Sequence, residues 1–209
     1  MPDYFDELNG FNENEKLVTL RTYGEENGVP IITMGGLSVL LSVIRIKNVK
    51  KILEIGTAIG YSSIVMALED EGITIDTIER DKKMYDQAVL NVKDFGLENR
   101  INIIYKDALE VDVNELGKYD LIFIDAAKAQ YIKFFEKYSP LLSDNGVIYT
   151  DNLMFHGLVE TKQEDIESRN LRALVRKINN FNVYLKNNQE FNTTFIKYGD
   201  GIALSVKKK

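Results

Sequence analysis

Two short stretches hold side chains that could do chemistry together. In "FIDAAK", residues 123–128, an apolar run ends on Asp125, and Lys128 follows three residues later. In "TDN", residues 150–152, a second apolar run ends on Asp151 with Asn152 beside it. A carboxylate at the rim of a core is costly unless something compensates it. Asp125, Asp151 and Asn152 offer two carboxylates and an amide oxygen, all hard ligands. Such a set suits magnesium, which keeps water or substrate oxygens in its remaining octahedral positions. Taken alone, Asp-Asn after a strand is more simply a turn, and a lone lysine is by default an exposed one.

Acids end the other apolar runs as well: Glu54 before Gly56, Glu79, and Asp107 shortly after "IIY". In an open α/β sheet, ligands sit beyond the carboxyl ends of the strands, where these residues fall. "EIGTAIGYS", residues 54–62, sets Gly56 and Gly60 in a strand-to-helix turn, where backbone can approach a ligand and leave amides facing it. The spacing is not G-x-G-x-x-G and the loop has no lysine for a triphosphate; a plain tight turn explains the two glycines equally well. Glu79, ending the second strand, stands where an acid accepts hydrogen bonds from ribose hydroxyls. Together these features point to a nucleoside cofactor without a pyrophosphate, and they disfavour a dinucleotide-dependent dehydrogenase.

The elements that must position these residues follow from periodicity. Residues 12–28 predict a helix, with Asn12 and Glu15 as a capping box and Leu17, Leu20 and Tyr23 on one face; a second spans about Gly36 to Arg45. "KKILEIG", "ITIDTIE", "RINIIY", "YDLIFID" and "GVIYTD" read as strands, alternating with "SSIVMALED", a helix capped by Asp81, and "QYIKFFEKYSPLL". The helical "EDIESRNLRALVRKINNF" then precedes "NTTFIKY" and "GIALSVK", joined through "GDG", a hairpin signal. The fold class is α/β: a Rossmann-like, doubly wound, mainly parallel seven-stranded sheet with a C-terminal antiparallel hairpin. One domain is expected over residues 1–209, with 1–46 a helical extension and 47–209 the sheet that carries the candidate site.

Composition bounds the function. The 209 residues are 44% apolar, enough for a substantial core, and carry a formal charge of −6, which argues against a nucleic-acid-coating role. There is no cysteine, so no thiolate metal site or nucleophile exists. "MPDYFDELNG" lacks the basic and apolar regions of a signal peptide, and no stretch nears the roughly 20 apolar residues of a membrane span. A cytoplasmic protein with no membrane partner is expected.

"ILEIGTAIGYS", "TIERD", "YDLIFIDAAKAQY", "TDNLMFHG" and "YGDGIALSV" occur in this order. Over about residues 28–207 the chain resembles the class I S-adenosylmethionine-dependent methyltransferases, specifically the metal-dependent O-methyltransferases of the catechol and caffeoyl-coenzyme A type. Within that group "ILEIGTAIGYS" and the short extension are similar to the bacterial tRNA 5-hydroxyuridine methyltransferases. The resemblance implies that Glu54, Gly56 and Ser62 line the methionine part of the cofactor. It implies Glu79 at the ribose, Asp107 and Ala108 at the adenine, Ile32 as a cover, and Asp125 beside both cofactor and metal. Asp125, Asp151 and Asn152 would hold Mg2+ or another divalent cation, with Lys128 as general base; a neighbouring dication disfavours a lysine's charged form.

Metal chelation of a hydroxyl both activates and orients it for methyl transfer. A catechol-like metabolite satisfies that chemistry, and so does 5-hydroxyuridine in a tRNA anticodon loop at the wobble position, whose hydroxyl and keto oxygen are neighbours. The tRNA acceptor, giving 5-methoxyuridine, is the expected one. Arg169, Arg172, Arg176 and Lys177 are the candidate phosphate contacts, though a solvated helix face explains them more simply. Animal catechol enzymes carry a histidine where this chain has Ala126, so their specificity does not transfer. His156 reads as incidental. A non-catalytic regulator binding S-adenosylmethionine is the alternative of another class, and a homodimer is the expected assembly.

Overall fold

The computed structural model describes residues 8–9 and 14–209. Helix α1, Glu15–Glu26, is capped by Asn14, whose side chain accepts from Leu17 N at 2.9 Å. Asn12, expected as the cap, lies outside the described residues. Leu17, Leu20 and Gly24 form the buried stripe of α1, while Tyr23, expected there, faces solvent. Helix α2, Met34–Lys47, is longer at both ends than periodicity suggested. Thr33 caps it, and Asn48 ends it in the left-handed conformation, φ 49°.

The remaining helices are α3 (Tyr61–Leu68), α4 (Lys82–Asp94, capped by Asp81), α5 (Tyr131–Tyr138) and α6 (Arg169–Asn187). Helix α6 starts later than expected. The Ser168 hydroxyl caps it, accepting from Leu171 N, and "QED" upstream is only a 3-10 turn.

The strands are β1 (Lys51–Ile55), β2 (Thr74–Glu79), β3 (Ile101–Tyr105), β4 (Tyr119–Ile124), β5 (Leu142–Thr150), β6 (Phe191–Ile196) and β7 (Ile202–Lys207). They form one seven-stranded sheet in the order β3-β2-β1-β4-β5-β7-β6. Pairing is parallel from β3 through β5, and β7 runs antiparallel between β5 and β6. This is the mainly parallel sheet with a terminal hairpin that the alternation of strands and helices predicted. Order reverses between β1 and β4, which opens a crevice beyond their carboxyl ends.

The sheet is the middle of three layers. Ile52, Leu121, Phe123 and Tyr149 face a core shared with α1 to α4, where Leu37, Leu40, Leu41 and Ile64 are buried. Leu53, Ile55, Ile122 and Ile124 face the other core, against Tyr131, Phe134, Phe135 and Phe181 of α5 and α6. Each such side chain contributes about 1.5–3 kcal/mol on burial. With both faces covered, the strand ends are held rigidly enough to fix the groups beyond them. Among the described residues no helix is long and apolar enough to cross a membrane.

Candidate active site

Beyond the ends of β1, β2 and β4 lies a cavity of about 340 Å³, a volume that suits a nucleoside-sized ligand. Gly56, Glu79, Asp107, Ala108, Asp125 and Lys128, all singled out in the sequence, line it. Gly56 is needed where it stands: φ is 106°, and a Cβ there would lie 2.1 Å from the Asp125 carbonyl oxygen. The Asp125 amide donates to Ile55 O at 3.0 Å, so the glycine lets the ends of β1 and β4 close on each other.

Glu79 is held by main-chain donors. Its Oε2 accepts from Ala58 N at 2.9 Å, and its Oε1 from Arg80 N and Asp81 N at 2.9 and 2.8 Å. The carboxylate thereby joins the glycine turn to the start of α4, and Oε2 keeps a lone pair free for a further donor. Asp107 accepts from Leu109 N at 2.9 Å and from Arg80 Nη1 at 3.2 Å; the amide and then the guanidinium hold its carboxyl below the ordinary range. Helix α5 grips the same loop, Lys137 Nζ donating to Leu109 O and Tyr138 Oη to Ala108 O.

Three expected cofactor residues sit behind the cavity wall. Glu54 is fully buried and accepts from the hydroxyls of Ser62, Ser63 and Thr77. Burial pushes its carboxyl up to about 7, against the pull of those hydroxyls. Ser62 is thus turned toward Glu54. Ile32 is 4% exposed and packs in the core of α1 to α4, because the extension passes the cavity two residues earlier, at Pro30. Arg80, Ala58 and Phe134 also line the cavity without having been singled out in the sequence. Adjacency to Glu79 marked Arg80; Phe134 carried only a helical core signal.

At the far lip the parallel register of β4 and β5 sets Ile124 beside Thr150, which brings Asp125 next to Asp151. Asn152, at φ 65°, donates from Nδ2 to Asp125 Oδ1 at 2.7 Å and reaches Asp151 Oδ2 at 3.5 Å. Asp151 is 1% exposed, and its Oδ1 is buried without a hydrogen-bond partner. Both carboxyls are raised above the ordinary range, first by burial; for Asp151 the charge of Asp125 adds to it, while Lys128 pulls both down. Among the described residues no three His, Cys, Asp or Glu side chains gather as a metal group. The donor set here is two carboxylates and an amide, and a bare buried carboxylate oxygen beside a second acid is what a divalent cation would satisfy.

Lys128 opens the 3-10 turn Lys128–Gln130, and its Nζ lies 5.6 Å from the centre of the Phe155 ring. Phe155 and His156 both take left-handed backbone, φ 47° and 55°. The His156 side chain is 79% exposed. Of the four candidate phosphate contacts on α6, Arg172 donates to the carbonyls of Ile166 and Glu167, which ties it to the helix start.

A family model described as O-methyltransferase matches residues 11–208. The caffeoyl-CoA O-methyltransferase of Populus kitakamiensis is 31% identical over 92% of this chain and 86% of its own length. The flavonoid 3',5'-methyltransferase of Vitis vinifera is 30% identical over 97% of this chain and 87% of its own. A crystal structure from Staphylococcus aureus, provisionally assigned as a caffeoyl-CoA O-methyltransferase, superposes with a TM-score of 0.89 at 42% identity, covering 93% of each chain.

Proposed function

The chain belongs to the O-methyltransferase family, and from that premise we propose that it methylates one hydroxyl of an aromatic ring bearing two neighbouring hydroxyls, a catechol-like metabolite. The observation that carries the reading is the bare, buried Oδ1 of Asp151 beside Asp125 and Asn152, at the lip of a nucleoside-sized cavity.

In this reading the cavity binds S-adenosylmethionine, which supplies a sulfonium methyl group. Glu79 accepts from the ribose hydroxyls, and Asp107 with Ala108 meets the adenine edge. Asp125, Asp151 and the side-chain amide of Asn152 would hold a divalent cation, which would supply the charge that activates and orients an acceptor hydroxyl. Lys128 takes the hydroxyl proton as the O–CH3 bond forms and the S–CH3 pair returns to sulfur. Phe155 offers its ring face to the acceptor ring.

The tRNA acceptor expected from the sequence has less behind it. The Populus and Vitis relatives carry small-molecule names, and Arg172, one of four residues meant to grip phosphate, is committed to main-chain carbonyls. The homodimer stays part of the reading; light scattering measures it. The deciding experiment incubates the protein, S-adenosylmethionine and Mg2+ with a panel of o-diphenols, and in parallel with tRNA bearing 5-hydroxyuridine. Monomethylated diphenol that disappears with EDTA is the expected product. Methylation of the tRNA alone moves the acceptor to RNA, and cofactor binding without turnover on either leaves a regulator.

A further inference from the structure

The turn between β6 and β7 reaches back over the site. Asp200 O accepts from Met154 N at 2.7 Å, Gly201 O accepts from Leu153 N at 2.9 Å, and Asp200 Oδ1 accepts from His156 N. Gly201, at φ 83°, seals the approach, since a Cβ there would stand 2.4 Å from Met154 Cγ and 2.9 Å from Met154 N.

The segment so held needs holding. Asn152, Phe155 and His156 all have positive φ without being glycine, and each such residue costs about 1 kcal/mol or more relative to ordinary backbone. A loop with that bill relaxes unless outside contacts over-determine it. The exposed Lys197–Glu160 pair at 2.9 Å is a weak second tie.

Asp200 is itself expensive. It is 5% exposed, and its Oδ2 has no hydrogen-bond partner, the nearest cationic candidate being His156 Nδ1 at 4.0 Å. A carboxylate kept in so poor a place has a purpose other than stability. Its one strong bond goes to the main chain of His156, next to the Phe155 ring that meets Lys128.

We propose that Asp200 is a positioning residue for the acceptor: it fixes the loop 153–156, and with it the Phe155 ring, against the metal and base residues. This rests on reading that side of the crevice as the acceptor's. It also gives His156 a part, through its amide rather than its imidazole.

The test compares Asp200→Ala, Asp200→Ser and Asp200→Asn with the parent enzyme. Asparagine keeps an acceptor oxygen for the His156 amide, serine is too short to reach it, and alanine has none. Alanine and serine are expected to raise the acceptor KM about tenfold or more, the loss of a charged-group hydrogen bond. S-adenosylmethionine Kd, read by calorimetry, stays within about twofold, because the cofactor cavity is held from β1, β2 and α5. Asparagine restores the acceptor KM, and hydrogen–deuterium exchange over residues 153–156 accelerates in the alanine and serine variants alone. Cofactor affinity falling in step with acceptor KM overturns the proposal, as does unchanged exchange, or an asparagine variant as poor as alanine. If alanine and serine both fail to fold while asparagine folds, Asp200 serves the fold and the proposal is overturned. Exchange needs no acceptor, so the fixing of the loop is read even where the diphenol reading itself fails.

Discussion

Asn152 Nδ2 lies 2.7 Å from Asp125 Oδ1, so the amide that follows one strand end is bound to the acid that ends its neighbour. The bond places a partial positive charge between two acids that burial has raised together, the role a cation would take over.

Asp151→Asn removes the buried member of the Asp125–Asp151 pair. Divalent-ion-free protein is expected to melt at the same temperature as the parent or higher, a gain of about 1–2 kcal/mol, because a desolvated like charge is gone. The Mg2+-induced rise in melting temperature is expected to vanish with turnover. Differential scanning fluorimetry with and without Mg2+ reads both, and an undiminished Mg2+ response would remove Asp151 from the metal site.

Lys128→Met keeps a flexible apolar stem and removes the amine that lies over the Phe155 ring. kcat is expected to fall about 10²- to 10⁴-fold, the range of a general base, with the thermal responses to S-adenosylmethionine and Mg2+ retained. Single-turnover kinetics is the measurement, and unaltered kcat would return Lys128 to an ordinary surface lysine.

Glu79→Gln leaves one oxygen and an amide donor where three main-chain N–H groups now point at a carboxylate. One of those amides then faces a donor, so stability drops by about 1–3 kcal/mol. Titration calorimetry is expected to give at least about tenfold weaker binding of the demethylated cofactor; binding at parental strength would take the ribose away from Glu79.

Glu54 makes stability depend on pH. Its folded carboxyl is raised from 4.5 to about 7, so between those values the native state holds a proton that the unfolded chain has lost. The contribution is complete below the unfolded value and fades as pH rises through the folded one, by up to about 3 kcal/mol. Glu54→Gln cannot lose that proton. Urea denaturation at pH 5 and pH 8 is expected to show a smaller fall for the variant, its advantage appearing at pH 8. Equal falls in both proteins would mean that Glu54 is ionised throughout.

How much of this the sequence revealed depends on how local each cause is. Strands, their acid ends and the Asp81 cap are written in runs of a few residues, so Glu79, Asp107, Asp125 and Asp151 were found at the crevice where the strand-end rule put them. Glu54 looked like one more strand-end acid. Its withdrawal from the cavity depends on Thr77 of β2 and Ser63 of α3, hydroxyls that only folding brings near. Ile32 and Pro30 differ by the path of a segment between two helices, which periodicity does not describe. The turn at Asp200 was legible as a hairpin; its grip on residues 153–156 was not, because those bonds span more than forty positions.

The place of β7 between β5 and β6 sets an order of events during synthesis. A nascent chain that has emerged through α6 already contains Gly56, Glu79, Asp125, Lys128 and Asp151, yet the edge of β5 is still bare. That edge is open to pairing with a stranger until Ile202–Lys207 arrives to cover it. The same arrival brings Gly201 and Asp200 onto Leu153 and Met154. The contacts that hold Leu153 and Met154 therefore form only after the β6–β7 turn has emerged, later in synthesis than the strand ends that line the cavity.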